Sequence, residues 1–130
     1  MFEFIKLIST FLPLYIKEVS LKGDVLSISG DGWTFITNSV WRVSRKTELL
    51  YTCWDHNAGR FMTELVGYTV VGLSSTSSGR PINPSITFSD GRTLDVYCSL
   101  SHEAWALSLP DGCVYTGSIP VERWAVAELS

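Results

Sequence analysis

Two histidines, three cysteines and thirteen carboxylates are the side chains of this 130-residue chain with the most chemistry to offer. Cys53-Trp54-Asp55-His56 sets a thiol and an imidazole three residues apart, and Cys98 with His102 supplies a second Cys/His pair. Thiolate and imidazole are the ligands of tetrahedral zinc, so Cys53, His56, Cys98 and His102 are a formal four-ligand set if the strands carrying them lie side by side. No tight Cys-x-x-Cys spacing reinforces that set, and a core thiol with surface imidazoles accounts for it more simply. No metal is expected. His102-Glu103 falls in a loop, where adjacent side chains rarely address one proton. No Gly-x-Ser-x-Gly elbow is present to hold a serine nucleophile exposed. No lysine neighbours any cysteine to activate its thiol. Gly30-Asp31-Gly32 lies between two strand patterns, without the helix N-terminus that completes a phosphate loop. Neither an enzyme activity nor a cofactor is expected.

Composition narrows the classes further. The chain is 45% apolar and 18% charged, which excludes intrinsic disorder. Its length suits one domain spanning residues 1–130. A net charge of −3 and a pI near 5.3 speak against a broad nucleic-acid surface. Arg42, Arg45 and Lys46 form a local basic spot beside Trp33 and Trp41, read as a solvated strand end next to packing rings rather than a base-stacking platform. Charge is uneven: residues 1–60 carry seven Lys/Arg against six Asp/Glu, residues 61–130 three against seven. An acidic second half suits electrostatic steering of a basic partner. Three cysteines cannot all pair within one chain, which points to a reducing compartment and a cytoplasmic location. Residues 2–16 are apolar, but Lys6 and Pro13 interrupt them and no small-residue cleavage site follows, so neither a signal peptide nor a membrane span is expected.

The elements that must position these residues follow from periodicity. Phe4, Ile5, Leu7, Ile8, Phe11 and Leu12 recur at helical spacing and predict an N-terminal helix over 1–12, ended by Pro13. The period then falls to two. Residues 20–54 predict a first β-meander: Val25–Ser29 with Leu26 and Ile28 inward, an Asp31-Gly32 turn, a strand on which Trp33, Phe35 and Thr37 alternate with Thr34, Ile36 and Asn38, a short strand at Trp41-Arg42-Val43, and Leu49–Trp54. A short helix is expected over 60–66, with Phe61, Leu65 and Val66 on one side and Gly67 as its stop. Residues 68–117 predict a second meander, interrupted by the Ser/Thr-rich loop 74–81, and 121–129 close the chain.

The second meander echoes the first. Ile86-Thr87-Phe88 leads through Ser89-Asp90-Gly91 to Arg92–Cys98, as Ser27-Ile28-Ser29 leads through Gly30-Asp31-Gly32 to Trp33-Thr34-Phe35. A tryptophan strand follows each, at Trp41-Arg42-Val43 and Trp105-Ala106-Leu107. Each meander has one apolar face to bury, and the two faces can close on each other. The expected fold is therefore mainly β (α+β), two related antiparallel meanders packed as a sandwich or a partly open barrel, with the N-terminal helix and the short middle one.

Ile86-Thr87-Phe88-Ser89-Asp90-Gly91-Arg92-Thr93-Leu94-Asp95-Val96, then Glu103-Ala104-Trp105-Ala106-Leu107 and Pro110-Asp111-Gly112, resemble a pattern of small bacterial proteins, and Gly30–Phe35 with Asn38–Val43 fits the same pattern. Many such proteins look like immunity proteins that accompany secreted toxins, including those of contact-dependent growth inhibition. The resemblance implies a cytosolic binder that occludes a cognate toxin domain, such as a nuclease, and it carries no catalytic motif. On that reading the partner-binding candidates are the acidic groups at loops and strand ends, Asp55, Glu64, Glu103 and Asp111, with Tyr97 as an aromatic on the outward face opposite Leu94 and Val96. Two other readings stay open: a small-ligand-binding β domain built around the tryptophans, and a structural homodimer joined at a β-edge. The chain itself is expected to be a monomer or a homodimer.

Overall fold

The computed structural model describes residues 9–75, 83–97, 105–112 and 114–116. In chain order these form β1 (Leu14–Tyr15), β2 (Glu18–Lys22), β3 (Val25–Gly30), β4 (Trp33–Thr37), β5 (Val40–Arg45), β6 (Glu48–Thr52), α1 (Ala58–Thr63), β7 (Thr69–Ser75), β8 (Pro84–Phe88), β9 (Arg92–Tyr97), β10 (Trp105–Ser108) and β11 (Val114–Thr116). Two antiparallel sheets pack face to face, one in the order β1-β7-β8-β9-β5-β6 and the other β11-β10-β4-β3-β2. The expected mainly-β sandwich is the fold, and the sheets do not close into a barrel.

The two-residue alternation read from the sequence is the alternation of burial. Leu26 and Ile28 of β3, Trp33, Phe35 and Thr37 of β4, Trp41 and Val43 of β5, Leu94 and Val96 of β9, and Trp105 and Leu107 of β10 all face inward and are buried. Successive side chains of a strand point to opposite faces, so one apolar stripe per strand suffices to fill the space between the sheets. The rings interlock, with Phe35 stacked on Trp105 at 6.1 Å and Trp41 meeting Tyr51 edge-on at 6.3 Å. Gly30 serves one such contact. The Trp33 indole N–H donates to the Tyr15 carbonyl at 3.0 Å directly over Gly30, and a β-carbon at position 30 would collide with both groups.

The strands of each half are divided between the sheets. The first half lays β2-β3-β4 in one sheet and then crosses at Asn38-Ser39 to place β5-β6 in the other. The second half lays β7-β8-β9 beside β5, and its last two strands, β10-β11, lie beside β4. The registers match residue for residue: Trp41 faces Val96 and Val43 faces Leu94, as Trp105 faces Thr37 and Leu107 faces Phe35. The two Asp-Gly turns of the echo hold their glycine in the left-handed region, at φ +76° for Gly32 and +93° for Gly91. The sequence echo is thus an echo of topology in which each half completes the other's sheet.

The middle helix is shorter and earlier than residues 60–66. It spans Ala58–Thr63, and a turn carries the chain on to Gly67. Ala58, Met62 and Leu65 are its buried stripe, Phe61 is partly buried, and Val66 is exposed, contrary to the expected face. The stripe is one of 3.6-residue spacing counted from Ala58, which leaves Val66 on the solvent side. Tyr51 of β6 meets Phe61 at a tilt and donates its hydroxyl to the Met62 sulfur at 3.4 Å, while Gly59 lies over Leu21 of β2. The helix therefore covers the side of the sandwich where the edge strands β6 and β2 end the two sheets. Strand β6 also stops at Thr52 rather than reaching Trp54. The Asp55 carboxylate accepts the Thr52 N–H at 2.7 Å and the Thr52 hydroxyl accepts the Trp54 N–H at 3.3 Å, a local turn that competes with the ladder.

Of the N-terminal helix expected over 1–12, only residues 9–12 are described. They end in a turn in which the Leu12 N–H donates to the Ser9 carbonyl, and Phe11 and Leu12 pack on the core. Residues 1–8 and the closing segment 121–129 lie outside the described residues. Among the described residues no helix is long and apolar enough to cross a membrane.

Candidate functional site

The four partner-binding candidates that fall among the described residues do not come together. Asp55 is exposed, but one carboxylate oxygen is taken by the turn after β6. Glu64 follows α1 and pairs with Arg92 Nη1 at 3.4 Å. Tyr97 lies at the far end of β9, on the outward face as expected, with the Arg42 guanidinium 5.2 Å from its ring centre. Arg92 and Tyr97 are the two ends of that strand, separated by about 17 Å at the usual rise of an extended chain. Asp111 is exposed in the turn between β10 and β11, on the other sheet. Glu103 lies outside the described residues, as do Cys98 and His102 of the formal zinc set. Among the described residues no group of three or more metal-ligating side chains gathers.

Two of the three cations of the basic spot, Arg42 and Arg45, are in ion pairs. Arg42 reaches Asp95 at 3.9 Å across the outer face, and Arg45 reaches Asp90 at 3.5 Å. Asp90 also binds Arg92, whose Nε donates to it at 2.5 Å. Arg92 is the one buried cation among the described residues. Burial works against its charge, but Asp90, Tyr51 and Glu64 together outweigh burial and hold the guanidinium above its ordinary value. For Tyr51 burial acts the other way, lifting the hydroxyl above the usual tyrosine value against the opposing pull of Arg92. Arg92 also sits over the Tyr68 ring at 5.6 Å, so this network ties the β8–β9 turn, β5, β6 and the turn after α1 together. Sequence reasoning passed over it. The signal was present, since Arg92 shares its strand parity with inward Leu94 and Val96.

A different place offers an open surface. Where the chain crosses from β4 to β5, a cleft of about 230 Å³ is lined by Leu21, Gly23, Asp24, Asn38, Ser39, Val40, Trp41, Cys53 and Trp54. Its walls follow from the fold: Leu21 and the β2–β3 turn come from one sheet, Val40 and Trp41 from the other, and Cys53 with Trp54 from the turn that ends β6. The Cys53 N–H donates to the Trp41 carbonyl at 3.1 Å, and the Thr37 hydroxyl accepts the Ser39 N–H at 3.1 Å, so the crossing is held on both sides. Trp41 is wholly buried in the floor, whereas Trp54 at the rim is 76% exposed. Cys53 is a half-buried free thiol in the wall. The cleft is smaller than the roughly 300–1,000 Å³ of pockets that enclose a drug-sized molecule. Among the described residues, an apolar gap between the sheets, bounded by Leu14, Trp33, Phe35 and Leu107 among others, measures about 20 Å³. The groups the cleft presents to a ligand are the Trp54 indole, the Asp24 carboxylate, the Asn38 amide, the Ser39 hydroxyl and the Cys53 thiol.

Comparison of the chain with protein-family models, with curated proteins and with solved structures finds no match to any of them.

Proposed function

We propose that this chain acts by binding another protein, as an immunity protein that occludes a toxin domain and neutralises it. The observation that carries the reading is Trp54, 76% exposed on a turn fixed by Asp55, at the rim of a cleft too small to enclose a ligand of ordinary size. A large aromatic held in solvent beside a concave slot is the usual form of an interface anchor. Exposed Val40 lines the same cleft, and β6, which carries exposed Leu49 and Leu50, is an edge strand of its sheet. The acidic surplus after residue 60 supports a basic partner. The encounter is assigned to the cytoplasm, in keeping with the odd number of cysteines.

The test is co-expression with the toxin domain encoded by the reading frame just upstream of this chain's own gene. Growth arrest by that domain should be relieved by the chain, and the two should migrate as one complex in gel filtration. A toxin that arrests growth equally with and without the chain, and forms no complex with it, would falsify the reading.

A further inference from the structure

The cleft beside Trp54 has an unbalanced chemistry. Asp24 is the one carboxylate in its lining, and no lysine or arginine lines it. Among the described residues Asp31, Glu64, Asp90 and Asp95 each reach a cation within 4.0 Å, whereas Asp24, like Glu18, Glu48 and Asp55, reaches none. Lys22 is close in sequence, but strand alternation turns it to the face opposite Leu21, the side chain that lines the cleft. Arg42, the nearest cation in sequence to the Val40-Trp41 wall, is on the outer face and engaged with Asp95 and Tyr97. An unpaired carboxylate thus shares one small cleft with an exposed indole face. Those two groups together recognise a cation on an apolar stem: the ring attracts the charge through its quadrupole, and the carboxylate supplies a charge-assisted hydrogen bond.

We infer that this cleft receives a lysine or arginine side chain of a protein partner, its stem along Leu21 and Val40 and its charge between Trp54 and Asp24. The identity of the occupant as part of a protein rests on the binding function proposed above. The volume fits one long side chain rather than a whole ligand. Arginine fits the indole face best, because its planar guanidinium stacks as well as pairs.

The test titrates the full-length, isotope-labelled chain at low salt with N-acetyl-arginine amide and with its neutral isostere, N-acetyl-citrulline amide. Nuclear magnetic resonance follows the Trp54 indole N–H and the Asp24 and Ser39 amides. Saturable shifts at these positions are expected for the arginine probe, about five-fold weaker for the citrulline probe. Asp24→Asn and Trp54→Ala should each weaken the arginine probe by about three- to ten-fold, with an unchanged unfolding midpoint because both side chains are exposed. Equal binding of the two probes, shifts confined to other surfaces, or no saturable shift at tens of millimolar overturns the inference. The two proposals separate cleanly. Undiminished toxin neutralisation by both variants removes the cleft and leaves the immunity reading, while probe binding in the cleft without neutralisation of any toxin does the reverse.

Discussion

Arg92 is held where a cation is costly. Its side chain is 8% exposed and that of Asp90 13%, and Glu64 and Arg45 complete the set from α1's turn and β5. Removing one member of a buried pair strands the other, so Arg92→Met is expected to cost about 3 kcal/mol in urea unfolding. Adding Asp90→Asn should recover part of that loss, the mark of coupling rather than of independent contacts. Tyr51 adds a pH dependence. Its hydroxyl titrates above the ordinary tyrosine value in the folded chain because it is buried, so the folded state holds that proton more tightly than the unfolded one. Its contribution is complete below about pH 10 and is lost as the pH rises through the folded value. Tyr51→Phe should therefore flatten the fall of the unfolding free energy above pH 10, and a fall as steep as that of the parent chain would contradict the assignment. At this scale the sequence is half legible. Strand parity marks Arg92 as inward, but its partner Glu64 is 28 residues away and is brought to it only by the path of α1.

At the scale of elements, the helix α1 shows what local rules decide and what they leave to packing. Gly59 sits inside the helix without a left-handed φ, and a β-carbon there would meet Leu21 at an ordinary 3.8 Å. Neither the turn of the chain nor a close approach requires a glycine at that position. Gly59→Ala should stabilise the chain by about 0.5–1 kcal/mol, read as a raised urea midpoint with an unchanged slope. Strands and Asp-Gly turns were legible because their two-residue apolar period and glycine signals are local. The helix boundary was not, because six residues carry too few turns for a period to show, and its stripe is set by what β2 and β6 leave uncovered. The candidate site was the least legible. Charge marks Asp55 and Glu64 in the sequence, yet Asp55 builds the turn that presents Trp54 and Glu64 pairs with buried Arg92. Trp54 itself reads in the sequence as the end of a strand, and only the Thr52–Asp55 turn puts it in solvent.

The whole molecule is organised by exchange. Strands β5-β6 from the first half complete the sheet of β7-β8-β9, and β10-β11 from the second half complete the sheet of β2-β3-β4. A half of the chain on its own holds a three-stranded piece with one apolar face bare and a two-stranded hairpin with no sheet to join, and isolated hairpins are marginal in water. The same arrangement explains why the Trp41 and Trp105 strands recur as landmarks: each is the strand that crosses over and seals the other half's hairpin, and each tryptophan is buried at that seam. The cleft lies at the first of these crossings, so the proposed binding surface depends on both sheets being in place. Cutting the chain at Gly67, between α1's turn and β7, gives a direct test. Residues 1–67 and 68–130, made separately, should each lack near-ultraviolet circular dichroism and a cooperative unfolding transition. Mixed in equal amounts, they should regain the tryptophan spectrum of the intact chain, in which fluorescence and far-ultraviolet signals are lost together. Either half folding alone with its own sharp transition would show that the halves are stacked modules, and that the interlocked registers contribute little to their stability.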